Sequence, residues 1–222
     1  MSPSSFREYC VCVCVVFFIF EVMAKGYSHI IFFGVYFFFQ HSILAQEVKF
    51  SIHLAGKEIG NVHARLVKSD NTHTYEVFSD VNFKVLWKEY NRKTNNQVVY
   101  QDNMLMSSYN SVYMNEEMED SSAIRQHQHQ YHCYRYPEEK VDIPNKMVEF
   151  STVKLYFIEP VGINSIYSER FLAYCPIELV EEHKYKLLLP NGKENVYTYA
   201  NNRLVEVFVD RSWFNLHFLQ KQ

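Results

Sequence analysis

The chain has 222 residues, 22 of them basic and 25 acidic, for a formal charge of −3. That charge is spread thinly, with no basic stripe to follow a phosphate backbone and no acidic tail, so nucleic acid is excluded as an expected partner. The length allows one domain or a small pair, and a chain of this size folds without help from metal or disulfides.

The first 45 residues differ from the rest: they hold nine of the 18 Phe and three of the five Cys, but only two basic and two acidic side chains. Two apolar runs stand there, residues 9–20 and 30–39, separated by Glu21, Lys25 and His29. Neither run reaches the roughly 18 to 20 residues that a bilayer core demands, so no membrane span is expected. The second run has the parts of a secretory signal peptide: Lys25, ten apolar residues, then a polar break at Gln40, His41 and Ser42, with cleavage expected near Ala45. Met23 opens that signal, and residues 1–22 read either as an upstream extension or as the long opening of a single signal that starts at Met1. Residues 23–45 are then the signal, and 46–222 a single domain bound for the periplasm or the outside.

From Val48 the hydrophobic period becomes two. Val48, Phe50, Ile52 and Leu54 alternate with Lys49, Ser51 and His53, which predicts a half-buried strand. Ala55 to Lys57 predicts a turn, residues 59–67 the returning strand, and residues 69–72 the next turn. Residues 75–87 follow, with Tyr75, Val77, Ser79, Val81, Phe83 and Val85 on one face. Asn95 and Asn96 are then expected to separate this strand from residues 98–106. The domain has four Gly and 16 Asn, so Asn is expected to perform much of the turn work. One short helix is predicted near 151–158, capped by Ser151 or Thr152 and stopped by Pro160. Residues 184–189 and 195–199 form a hairpin about Pro190-Asn191-Gly192-Lys193, and two more turns lead into residues 204–209 and 213–218. No strands alternate with long helices, so the expectation is an all-β antiparallel domain of about ten strands, as a barrel, half-barrel or clam-like sheet.

The densest group of ligand-type side chains is His127, His129 and His132, beside Cys133. In a single strand His127, His129, Tyr131 and Cys133 share a face, with the two imidazoles about 7 Å apart, a spacing that zinc enzymes use. The interleaved Gln126, Gln128 and Gln130 favour a solvated strand instead. Cys133 and Cys175 are the two thiols after cleavage and form the candidate disulfide of an oxidising compartment. No Gly-x-Ser-x-Gly elbow, phosphate loop or His-Glu-x-x-His motif occurs, so the reading leans away from an enzyme and implies no cofactor. Glu159, Ser168, Glu169 and Arg170 read as a charged connector. Tyr156, Phe157, Tyr167 and Phe171 read as core, or as the lining of an apolar cavity that makes them candidate ligand-binding residues.

Leu155 to Pro160, Tyr167 to Phe171, Tyr185 to Asn195, Tyr197 to Tyr199, Leu204 to Val207 and, near the start, Leu54 to Gly60 together resemble a family of uncharacterised exported proteins of Gram-negative bacteria. The likeness covers most of residues 48–210. It implies a periplasmic or secreted β-rich domain and brings no catalytic or binding residues with it. The leading expectation is a non-enzymatic β domain that binds an apolar small molecule or an envelope protein. A metal-binding protein using the three histidines and a structural cell-envelope protein are the alternatives.

Overall fold

The computed structural model describes residues 44–85, 87–137, 146–210 and 215–221. They form one antiparallel sheet of 13 strands that does not close, with a single 3-10 turn. The strands are β1 (Leu44–Leu54), β2 (Lys57–Ser69), β3 (Thr72–Val85), β4 (Lys88–Gln101), β5 (Met104–Met114), β6 (Glu117–His127), β7 (Gln130–Tyr136), β8 (Ser165–Ser168), β9 (Ala173–Glu181), β10 (Lys184–Leu188), β11 (Glu194–Ala200), β12 (Arg203–Asp210) and β13 (Asn215–Gln220). Their order across the sheet is β7-β6-β5-β4-β3-β2-β1-β13-β12-β11-β10-β9-β8. Two meanders are therefore joined where β1 pairs with β13, Ile52 opposite Phe218.

The all-β expectation holds, with 13 strands in place of about ten. The predicted break at Asn95 and Asn96 is corrected: both lie inside β4, paired with Phe78 and Val77 on one side and with Ser111 and Asn110 on the other. A ladder on both sides overrides the poor strand preference of Asn. The turn falls later, at Asp102 and Asn103, inside the stretch read as one strand. Consecutive residues with positive φ mark five of the hairpins: Ala55-Gly56, Asp102-Asn103, Asn115-Glu116, Gln128-His129 and Asn201-Asn202. Two such residues make the turn whose twist matches the flanking strands, which is why Asn recurs there. Gly60 has a different reason. A Cβ at that position would lie 2.1 Å from the Asp80 carbonyl oxygen, so the close approach of β2 to β3 excludes any side chain.

Alternation sends one face of each strand inward. Phe50, Ile52, Val62, Leu66, Tyr75, Val98 and Tyr100 from the first meander and Leu187, Tyr197, Tyr199, Leu204 and Val207 from the second are buried. The curled face they line is occupied by the chain that connects the meanders, whose Val148, Val153 and Leu155 are fully buried together with Ile166, Tyr167 and Leu172 of the β8–β9 hairpin. Fully burying an aliphatic or aromatic side chain is worth roughly 1.5 to 3 kcal/mol, so this insert is a principal element of the core. Polar bonds fix its path. The Leu105 amide donates to the Val148 carbonyl (2.8 Å), and Tyr131 Oη accepts from the Val148 amide (3.1 Å) while donating to the Leu105 carbonyl (2.9 Å). Beyond it, Ser151 makes a parallel bridge with Tyr167 in β8.

Candidate functional site

The predicted short helix is a 3-10 turn, Thr152–Tyr156, and its cap differs from expectation: Ser151 stands at the N-cap position without a side-chain capping bond. The cap comes instead from Glu169. Its carboxyl accepts from the Val153 amide (3.1 Å) and from the Thr152 hydroxyl, and the Ser151 hydroxyl also bonds it. Ser151 in turn accepts from Tyr100 Oη on β4 (2.6 Å), and the Glu169 carbonyl accepts from Ser122 on β6 (2.8 Å). Burial raises the pKa of Glu169 above the ordinary carboxyl value, more than these bonds lower it. The same burial raises Tyr100 well above a free phenol.

Lys154 is also buried. Its Nζ lies 3.7 Å from the centre of the Tyr100 ring and donates to Asn103 (2.8 Å) and to the Glu149 carbonyl (2.5 Å). Desolvation lowers its pKa to about 8, against the pull of Glu149 and Glu169. A hydroxyl chain, a carboxyl and an amine thus share the centre of the insert, each bonded to protein groups. Glu159 does similar work nearby, accepting from Tyr185 Oη (2.9 Å) and lying 2.9 Å from His183, whose pKa it raises. The reading of Glu159, Ser168, Glu169 and Arg170 as a charged connector is therefore corrected. Glu169 and Ser168 are buried, and the Glu159 side chain is 7% exposed.

Arg170, one residue on, faces a different setting. Its Nε bonds Asp120 on β6 (2.9 Å), and Arg135 on β7 approaches the other oxygen of Asp120 (3.7 Å). Arg92 on β4 bonds Glu119 (3.0 Å) and lies close enough to Arg170 and Asp120 for their charges to act on it. The Phe171 ring sits beneath two guanidiniums, those of Arg135 and Arg170, each 5.4 Å from its centre. Three arginines and two carboxylates leave a surplus of one positive charge. Arg92 and Arg170 side chains stay about one third exposed, so this end of the concave face meets solvent. Register extends the polar surface inward, with Asn96, Asn110, Ser122 and Arg135 forming one row across β4 to β7. The buried Asn96 Oδ1 and Asn110 Oδ1 of this row, and Ser108 Oγ further along β5, make no hydrogen bond.

The four aromatic candidates all join the core, each against a different partner. Tyr156 meets Phe50 edge-on (5.8 Å), Phe157 packs on Tyr75 (5.7 Å), and Tyr167 is fully buried against Tyr174 (5.3 Å). Phe171 alone reaches the charged end. The histidines are not brought together as one strand face. Gln128 and His129 form the turn between β6 and β7, which leaves His127 and His132 on opposite strands. Among the described residues no group of three His, Cys, Asp or Glu is placed to hold a metal ion. His132 instead borders a groove of about 440 Å³ on the outer face, with Gln97, Tyr109, Arg125 and Tyr134. Cys133 and Cys175 are free thiols. Burial raises both, Cys175 to about 11, and Cys133 faces the Tyr167 hydroxyl.

Asp120, Arg92, Arg135 and Asn110 escape a reading of the sequence, because each lies alone in an ordinary strand and only the pairing of β4 to β7 assembles them. No characterised protein and no solved structure matches the chain. One family model does, a domain of unknown function, DUF6134, over residues 50–220.

Proposed function

The chain belongs to this family of domains of unknown function, and from its geometry we propose that it is an exported, non-enzymatic domain that binds an apolar ligand bearing an acidic group. The observation behind this reading is the open end of the concave face, where Arg135 and Arg170 flank Asp120 and lie over Phe171 while Arg92 bonds the adjacent Glu119. Guanidiniums present paired donors that match a carboxylate or phosphate, and an aromatic ring beside them receives the apolar part. The buried hydroxyls, carboxyl and amine of the insert are occupied in holding it, a structural use that favours binding over catalysis. Export rests on the apolar run at 30–39 and its polar break. Cleavage after Ala45 would shorten β1 by two residues, whose partners are Lys68 and Val67 at the end of the ladder.

Native mass spectrometry of the protein recovered from the periplasm or medium tests both parts. The expected result is a chain beginning at Gln46 that carries an organic acid removable by solvent extraction. The Arg92→Gln/Arg170→Gln double variant should arrive without it. A wild-type protein that is ligand-free and binds no added long-chain carboxylate would refute the binding assignment, and a chain retaining residues 30–45 would refute export.

A further inference from the structure

The β3–β4 hairpin is longer than its neighbours. β2 stops pairing with β3 at Gly60 opposite Val81, and β5 stops pairing with β4 at Arg92 opposite Met114, whereas β3 and β4 continue to Val85 opposite Lys88. The base of the extension is pinned. Asn91 Nδ2 donates to Asp80 and Asn82 (both 2.8 Å), and the Asn115 amide donates to the Asn91 carbonyl (2.8 Å). Beyond Asn91 the pairs Phe83–Tyr90, Lys84–Glu89 and Val85–Lys88 have no strand on either side among the described residues, so the ladder runs about 10 Å past its neighbours at about 3.3 Å per residue, with the Phe83 ring still packed on the core.

A two-stranded ribbon in water is marginal by itself, and this one presents apolar surface at its end. Trp87 is 83% exposed, the most exposed of the large apolar side chains among the described residues. Behind it Phe83 and Tyr90 stack at 5.3 Å, with the Lys88 ammonium 5.2 Å from the Tyr90 centre. The extension beyond Asn91 holds two basic side chains, Lys84 and Lys88, against one acidic, Glu89. This local surplus of one positive charge stands on a protein whose formal charge is −3. An exposed indole at the tip, rings behind it and lysines around them match the depth profile of a lipid interface, where Trp settles at headgroup level and Lys extends toward anionic phosphates.

We propose that the tip of the β3–β4 hairpin docks the protein on an anionic bilayer surface, with Trp87 among the headgroups and Lys84 and Lys88 against their phosphates. Arg92 stands at the foot of the ribbon, so docking there brings the guanidinium end of the concave face toward the same surface. The docking assignment is independent of what that end binds.

The test uses the whole chain in a Trp213→Phe background, which leaves Trp87 as the one indole reporter. Vesicles of phosphatidylcholine alone and of phosphatidylcholine with phosphatidylglycerol are compared. A blue shift of Trp87 emission and quenching by brominated acyl chains are expected, both stronger with phosphatidylglycerol. Lys84→Gln and Lys88→Gln should each weaken that response about fivefold at low salt, following roughly 1 kcal/mol per surface lysine. Cosedimentation of Trp87→Ala in the native background should fall below wild type, which keeps the test independent of how Trp213→Phe folds. Protein that sediments with an unchanged Trp87 spectrum would overturn the assignment, as would equal response to both vesicles. Retention of Trp87→Ala at wild-type level would do the same. A Trp87 blue shift without vesicles that grows with protein concentration would identify a second copy as the occupant instead.

Discussion

Glu169 and Arg170 are adjacent in the chain and do opposite work. The Glu169 side chain points into the core, where every oxygen meets a hydroxyl or amide of the insert and burial holds the carboxyl toward its neutral form. The Arg170 side chain points along the concave face to Asp120, among other guanidiniums and in reach of solvent. The first region is closed and matched, so its polar groups specify one arrangement of the insert. The second is open with an excess of donors, and an excess at an open surface is what a ligand can use. The same pair of residue types therefore means stability in one setting and binding in the other, according to burial and partner count.

The comparison breaks if removing the inner partner leaves stability intact. Glu169→Ala strips the Val153 amide and two hydroxyls of their partner, so we expect a loss of about 3 kcal/mol or more and a melting temperature lower by roughly 6 to 12 °C, read by calorimetry. Ser151→Ala leaves the Tyr100 hydroxyl unpartnered, and about 1 to 2 kcal/mol should be lost in a urea titration. Arg170→Gln should cost about 1 kcal/mol or less, since Arg135 remains beside Asp120, yet it should abolish ligand retention. If Arg170→Gln unfolds the protein as Glu169→Ala does, the two regions are one structural unit and the distinction fails.

Two finer tests use pH. The folded pKa of Glu169 is above its ordinary value of 4.5, so the stability it confers is complete below that value and declines as pH rises through the folded one. Glu169→Gln, neutral throughout, should lack this decline, and the gap between wild type and variant should narrow or reverse from acid toward neutral pH. Lys154 is shifted the other way, to about 8 from an ordinary 10.5. Its contribution is present above 10.5 and is lost as pH falls through about 8, so wild type should gain on Lys154→Met across that alkaline window in parallel denaturation curves.

The four carboxy-terminal strands were legible because their signals are local. Asn191-Gly192 sits in a turn where Gly192 takes φ +77°, and Asn201-Asn202 takes positive φ at both residues. Asn95-Asn96 carries the same composition and forms strand, because Phe78 and Ser111 pair with Asn95 from both sides. His129 was misplaced for the converse reason: a polar run of alternating Gln and His gives no period break to show that Gln128 and His129 turn. Of the candidate site, Arg170 and Phe171 stood out in the sequence by position, but their partners did not. Asp120 is 50 residues from Arg170, and a lone Asp in a strand looks like any solvated one.

By itself the sequence determined the class of this protein. Period-two alternation and turn residues spaced along the chain leave an antiparallel sheet as the way to bury one face of each strand. Only the tertiary structure decided that the sheet folds around its own connector, that a carboxyl from residue 169 caps a turn at residue 152, and that two arginines from different segments flank one aspartate while a third bonds the carboxylate beside it. Those contacts depend on strand register and curvature, which bring residues tens of positions apart within bonding distance, and local pattern holds no record of such distances.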